Sequence, residues 1–299
     1  MHAGNIYAAL LAWLIAKSQG GSMVLRIEDL DRERSKPEFI DAVQRDFELL
    51  GLTWDKGPYF QHDRDEAYRA AFESLQEKGL LYPCFCTRAD LHAASAPHRG
   101  EKLVYPGTCR GLSAAERAEK ERVRHPAFRL RVPDTTYEFT DAIQGPYRQN
   151  LLHECGDYLV KRSDGAFAYQ FAVVVDDAEQ GITSITRGVD LLCSTPQQMY
   201  LQDLLGFQHP AYAHVPLLVS QAHRRLSKRD HDASIDELLH AHKTPEGVIG
   251  FIAGTCGLAP TPEPVSALEL LKTFDLQRFI DTCENLIEIP WKGIGEAGR

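Results

Sequence analysis

The sequence predicts an α/β fold: a doubly wound parallel sheet, interrupted by a metal-bearing insertion and followed by a C-terminal helical subdomain. Three observations carry that expectation. An apolar helix, a short β-branched strand and an amphipathic helix follow one another at the start of the chain, the order that builds parallel sheets. A second apolar, β-branched run, Ala168-Tyr-Gln-Phe-Ala-Val-Val-Val175, reads as a strand covered on both faces. Between them sit three clustered cysteines, Cys84, Cys86 and Cys109.

Composition sets the outer bounds. With 43% hydrophobic and 25% charged residues over 299 positions, the chain has the make-up of a soluble globular protein with several cores. The formal net charge of −9 argues against diffuse nucleic-acid binding, while an RNA held on a local basic surface remains compatible with it. Seven cysteines fit a reducing compartment and a metal site better than a disulfide framework. The apolar run 6–16 is too short to span a bilayer, and no Lys or Arg precedes it as a signal peptide requires. A cytoplasmic monomer with no membrane contact is expected.

In chain order, the first helix is expected over residues 5–17, ending at Gly20-Gly21, and is apolar on nearly every face, as a buried core helix is. Residues 22–27 read as a buried strand and 37–50 as a helix with Phe39, Ile40, Val43 and Phe47 on one side. Glu28 and Asp29 then fall at the carboxyl end of a strand, where parallel sheets bind ligands. No strand precedes the first helix, so a gap is expected in the sheet beside that edge. A helix over 65–78 carries Tyr68, Ala71, Phe72 and Leu75 on one face.

Residues 113–124 form a charged helix, either a solvated face or, with Arg129 and Arg131, a phosphate-contacting surface. Short β pieces follow at 128–132, 137–140 and 158–161. The sheet resumes at 168–175 and 182–187, with a helix from 197 to 205 closed by Gly206. A further strand over 214–219 leads into the basic loop Arg224-Arg-Leu-Ser-Lys-Arg-Asp230, and helices at 235–242, 245–255, 268–274 and 276–286 complete the chain. The expected units are 1–80 and 166–215, two halves of the core, 81–165, the insertion, and 216–299, the basic loop with the helical subdomain.

Two constellations carry chemistry. Thiolates are soft, strong ligands for Zn²⁺, and Cys84, Cys86 and Cys109 can supply three positions of a tetrahedral site; buried small hydrophobes are the plain alternative. His92 and His98 compete for the fourth position on chemical grounds. Separately, His2-Ala-Gly-Asn5 opens a helix, where backbone N–H groups and the helix dipole favour a phosphate. Gly4 allows close approach of a nucleotide. Lys228, on an exposed loop, can follow charge developing on phosphate oxygens.

His2-Ala-Gly-Asn5 together with Leu226-Ser-Lys228 resembles the two-part nucleotide site of class I aminoacyl-tRNA synthetases, although that pattern more often has a second His where Asn5 stands. Gly51-Leu-Thr-Trp-Asp55, Gln61-His-Asp-Arg64, Tyr68 and Cys84-x-Cys86-Thr87 are similar to the glutamyl branch. Tyr105 four residues before Cys109, and only a short stretch after Asp230, resemble the glutamyl-queuosine tRNA(Asp) synthetases, which lack the anticodon-binding domain. The resemblance implies a Rossmann-type catalytic core. His2, Gly4, Asn5 and Lys228 would hold ATP with Mg²⁺, His2 and Lys228 acting in catalysis. Tyr169 and Arg187 would meet the carboxylates of L-glutamate and Glu28 its ammonium, and Cys84, Cys86, Tyr105 and Cys109 would bind a structural Zn²⁺. Its implied reaction is tRNA-independent activation of glutamate and transfer to queuosine in tRNA(Asp). A shortened enzyme charging tRNA(Glu) and a non-catalytic tRNA- or protein-binding paralogue are the alternatives. The glutamyl branch also carries Arg and Ser in a strand and loop before the first helix. Neither is present here, and Met1 is expected to be an internal methionine.

Overall fold

The computed structural model describes residues 1–31, 35–87, 89–90, 104–219, 233–283 and 286–289. Helix α1 (Ala3–Ser18) is the apolar helix expected from the sequence. Ile6, Leu10, Leu11 and Leu14 are each fully buried in the larger of two main cores. Strand β1 (Val24–Ile27), helix α2 (Pro37–Leu49) and strand β2 (Lys56–Phe60) follow, and β1 pairs with β2 in parallel. Helix α3 (Asp65–Glu77) buries Tyr68, Phe72 and Leu75, three residues of the predicted face.

The middle of the chain forms its own sheet. Strands β3 (Leu81–Cys84), β4 (Ala127–Leu130) and β7 (Tyr158–Lys161) pair antiparallel in the order β3-β4-β7. Helix α4 (Ala114–Glu121) starts at a capping box in which Ser113 and Glu116 satisfy each other's backbone N–H groups. It has no buried residue, as a solvated face and a phosphate-contacting surface both require. Strands β5 (Thr136–Asp141) and β6 (Gly145–Asn150) make a hairpin.

The run read as a strand over 168–175 is instead helix α5 (Tyr169–Glu179), and this corrects the expectation. Seven consecutive residues, Phe171 through Asp177, are buried in it. A helix covered on every side shows no amphipathic period, and its valines then look like a buried strand. Tyr169 accordingly stands at the start of a helix rather than at a strand end.

Strand β8 (Ser184–Gly188), helix α6 (Thr195–Leu205) and strand β9 (Ala211–Val215) resume the parallel layer, with β8 paired to β9. Gly206 closes α6 in the left-handed conformation, φ 74°, which glycine adopts without a Cβ penalty. Strand β10 (Leu217–Val219) pairs in parallel with β11 (Leu286–Glu288), a strand not expected from the sequence. Between them lie helices α7 (Ile235–His242), α8 (Pro245–Thr255), α9 (Ala267–Thr273) and α10 (Leu276–Thr282).

A cavity lies between β1 and β8. Among the described residues no ladder joins β1 to β8; each parallel pair stands alone. A space of about 1230 Å³ separates them, lined by both strands, by α1, by the apolar stripe of α2 and by α5. None of α2's residues is buried, and Phe39 is 53% exposed, because that stripe faces the cavity.

What ties the two halves together across this space is charge on α5. Asp176, fully buried, accepts hydrogen bonds from Gln61 Nε2 (2.8 Å), Arg64 Nε (2.6 Å) and Tyr68 Oη (2.8 and 2.9 Å). Asp177 accepts from Arg26 Nη1 on β1 at 2.7 Å. Burial, and then the Asp176 carboxylate, push the Tyr68 hydroxyl well above its ordinary range, so it stays a donor. Asp176→Ala should lower the unfolding free energy by about 3–5 kcal/mol, since removing one partner leaves buried polar groups uncompensated. Chemical denaturation checks this, and a loss under about 1 kcal/mol would show the cluster to be dispensable.

Candidate active site and metal centre

The carboxyl ends of β1 and β8 open onto the cavity, and three predicted site residues meet there: Glu28 after β1, Tyr169 at the start of α5, and Arg187 in β8. Asn5 of α1 lines the same space. Glu28 keeps 41% of its side chain exposed within the cleft, yet the surrounding walls still desolvate it and raise its carboxyl above the usual range. Arg26, 3.5 Å away, acts in the opposite direction. Desolvation, and then the charge of Glu28, push the Tyr169 hydroxyl up to about 12. It is therefore a neutral donor at physiological pH.

Arg187 is held by its own sheet. It is the register partner of His214 on β9, so the two side chains share a face. Arg187 Nε donates to His214 Nε2 at 3.0 Å and Nη2 to Thr195 Oγ1 at 2.8 Å. Its guanidinium lies 5.6 Å from the Tyr212 ring centroid. Desolvation lowers the Arg187 pKa, and no carboxylate is hydrogen-bonded to it among the described residues. A desolvated guanidinium of this kind is suited to binding an anion. Nothing in the sequence pointed to His214 or Thr195 as partners of Arg187. A lone His in an apolar strand reads as core, and its partners are distant along the chain.

At the other predicted site, His2 is the N-cap of α1, and its Nδ1 accepts from the Gly4 N–H at 3.1 Å. In the neutral ring the proton is then on Nε2. A Cβ on Gly4 would come within 3.1–3.2 Å of that ring, so Gly4 first makes room for the cap. Lys228 and the rest of the basic loop lie outside the described residues. The chain resumes at Ala233, whose carbonyl accepts from the Ala3 N–H at 3.0 Å, while Ile235 N–H donates to the Met1 carbonyl at 2.9 Å. Residues 233–235 are thus fastened to the start of α1.

The insertion holds the thiols. Cys84, at the end of β3, Cys86 and Cys109 place their sulfurs within 4.8 Å of one another. Cys86 and Cys109 are 3.6 Å apart, near the ~3.8 Å edge of a tetrahedron with metal–sulfur bonds of about 2.3 Å. Tyr105 Oη lies 3.5 Å from Cys84 Sγ and 3.8 Å from Cys86 Sγ, on the same cluster. Tyr105 is fixed by a bridge to Gly156, where a Cβ would come within 3.0 Å of the tyrosine backbone nitrogen. Burial raises the Cys84 thiol, but hydrogen bonds from Tyr105 and Arg129 outweigh it and hold it below its ordinary range. Such a donor set fits a soft divalent cation. His92 and His98, the competing fourth ligands, lie outside the described residues.

Comparison with known proteins bears on what the cavity does. Residues 1–286 match the family described as tRNA synthetases class I (E and Q), catalytic domain. A glutamyl-Q tRNA(Asp) synthetase of Symbiobacterium thermophilum is 46% identical over 290 residues, covering 93% of this chain and 90% of its own. One from Nitratidesulfovibrio vulgaris is 43% identical over 271 residues, 87% and 84% of the two chains. Among solved structures, a glutamate tRNA ligase of Elizabethkingia meningosepticum, in complex with its amino acid, superposes with a TM-score of 0.79 at 25% identity. It is matched over 97% of this chain and 64% of its own. The glutamate-tRNA synthetase of Elizabethkingia anophelis gives 0.78 at 26% identity, over 93% and 64%. The chain thus spans just under two thirds of the length of those two structures. No helix among the described residues is long and apolar enough to cross a membrane.

The thiol geometry yields a direct expectation. Co²⁺ titrated into chelator-treated protein should bind one ion per chain with thiolate-to-metal absorption, and Cys109→Ser should abolish that band. Titration without such a band would leave the cysteines as packing residues.

Proposed function

The chain belongs to the class I tRNA synthetases (E and Q), and is therefore a ligase; on that premise we propose that it activates L-glutamate with ATP, without tRNA, and transfers it to queuosine in the anticodon of tRNA(Asp). The observation that carries the amino-acid assignment is the meeting of Glu28, Tyr169 and Arg187 in one cavity at the carboxyl ends of β1 and β8. Opposite charges presented to one small molecule suit an amino acid with a side-chain carboxylate. Arg187, assisted by the Tyr169 hydroxyl, takes the carboxylates, and Glu28 takes the ammonium.

In the activation step a carboxylate oxygen of glutamate attacks the α-phosphorus of ATP. The bond to the β-phosphate oxygen breaks and pyrophosphate leaves, giving glutamyl adenylate. No protein nucleophile is needed; the chain aligns the reactants and neutralises charge on the phosphate oxygens. ATP arrives with Mg²⁺ on its phosphates. The side chains of His2 and Asn5 form one wall of the nucleotide site, and Gly4 keeps that wall low. Lys228 neutralises charge on the phosphates, and residues 233–235, downstream of the basic loop, are hydrogen-bonded to residues 1–3. A Zn²⁺ held by Cys84, Cys86, Tyr105 and Cys109 would cross-link the insertion, and with all four positions filled it takes no part in the reaction.

The acceptor reading is supported by 43–46% identity to two relatives named glutamyl-Q tRNA(Asp) synthetase. Labelled glutamate should be transferred to tRNA(Asp) that carries queuosine and not to the same tRNA with unmodified guanosine. Transfer to tRNA(Glu) instead would replace this reading with that of a shortened charging enzyme, and adenylate formation without transfer to any tRNA would remove the acceptor assignment.

A further inference from the structure

We propose that Asp141 and His214 are positioning residues for Arg187, committing one edge of its guanidinium to the protein so that the substrate carboxylate is taken on the Nη1/Nη2 edge. This rests on the reading of Arg187 as the carboxylate receptor.

The chain of contacts starts at Asp141, the last residue of β5, with its side chain fully buried. One carboxylate oxygen, Oδ1, accepts from the backbone N–H groups of Ile143 (3.0 Å), Gln144 (2.9 Å) and His214 (3.0 Å). The other, Oδ2, lies 2.5 Å from His214 Nδ1. An ionised carboxylate can only accept, so the proton between them is on Nδ1. The neutral ring then carries a bare lone pair on Nε2, which accepts the Arg187 Nε–H at 3.0 Å. A proton on Nε2 would instead face that N–H. His214 is fully buried and stacked on Tyr212 at an interplanar angle of 18°, so its ring cannot turn away from either partner.

Thr195 completes the hold, accepting from Arg187 Nη2 at 2.8 Å while lying 3.3 Å from His214 Nε2. Nε–H and one Nη2–H are therefore used inside the protein. The side-on fork of the guanidinium, Nε with Nη2, is occupied; the end-on fork remains for a carboxylate. Fixing the guanidinium before substrate arrives lowers the ordering cost of binding it. The effect belongs to amino-acid binding rather than to the phosphate chemistry.

The readout is ATP–pyrophosphate exchange at varied L-glutamate. Asp141→Asn is the most informative change, because it is isosteric. The three backbone donors hold the amide oxygen where Oδ1 was, which puts the amide NH₂ against His214 Nδ1. The imidazole must then move its proton to Nε2, against Arg187. Both Asp141→Asn and His214→Leu should raise the glutamate KM by about ten- to a hundredfold, with kcat within a few-fold and the ATP KM unchanged. His214→Gln, whose amide can accept from Arg187 and donate to Asp141, should recover most of the loss. Adding either change to Arg187→Ala should produce no further increase. Unchanged KM in Asp141→Asn and His214→Leu beside a raised KM in Arg187→Ala would overturn the relay alone, as would full additivity. An Arg187→Ala enzyme with unaltered glutamate KM would overturn the carboxylate assignment itself, and the relay with it.

Discussion

The structure depends on one buried carboxylate. Asp176 sits fully buried in α5 and takes hydrogen bonds from Gln61, Arg64 and Tyr68, while its neighbour Asp177 binds Arg26 of β1. These contacts join the β1–β2 half of the core to the α5–β8–β9 half at a place where no strand ladder does so among the described residues. Charge buried at this depth is costly unless each lone pair is satisfied, and here donors come from two separate segments, residues 61–68 and β1. The same cluster sets the spacing of the site. Arg26 stands on β1 just before Glu28, and Asp176 stands on α5 two turns after Tyr169. The separation of Glu28 from Tyr169 is therefore set by the pairs behind them.

That arrangement explains why the site was only partly legible in the sequence. Glu28, Arg187 and Tyr169 were singled out by resemblance to the glutamyl branch, with the carboxyl ends of parallel strands as the topological support. Tyr169 stands instead at the start of a helix. A run of alanine and valine buried on all sides has no period to separate strand from helix, and Asp176-Asp177 looked like the polar end of a strand. Asp141, His214 and Thr195 carried no local signal. Asp141 is 73 residues from His214, and their pairing exists only once the β5–β6 hairpin lies against β9.

Elsewhere local chemistry decided the outcome. Helices α7 and α8 occupy the predicted residues because Ser234 with Glu237, and Thr244 with Pro245, are start signals that need no tertiary help. Strands β2 and β3 were passed over, each interrupted by a proline, Pro58 and Pro83, that lowers strand propensity. The cysteine cluster was readable from spacing. What the structure adds is Tyr105 Oη beside two of the sulfurs and Arg129 donating to Cys84 Sγ at 3.2 Å.

Whether the cavity between β1 and β8 selects an amino acid by its side-chain carboxylate and activates it without tRNA is tested most directly by pyrophosphate exchange into ATP, measured with L-glutamate, L-glutamine and L-aspartate in the absence of tRNA. The arrangement of Glu28, Tyr169 and Arg187 predicts exchange with glutamate and little with glutamine, which lacks the charge, or aspartate, which is shorter. Equal exchange with glutamine, or exchange with glutamate only when tRNA is added, would contradict it.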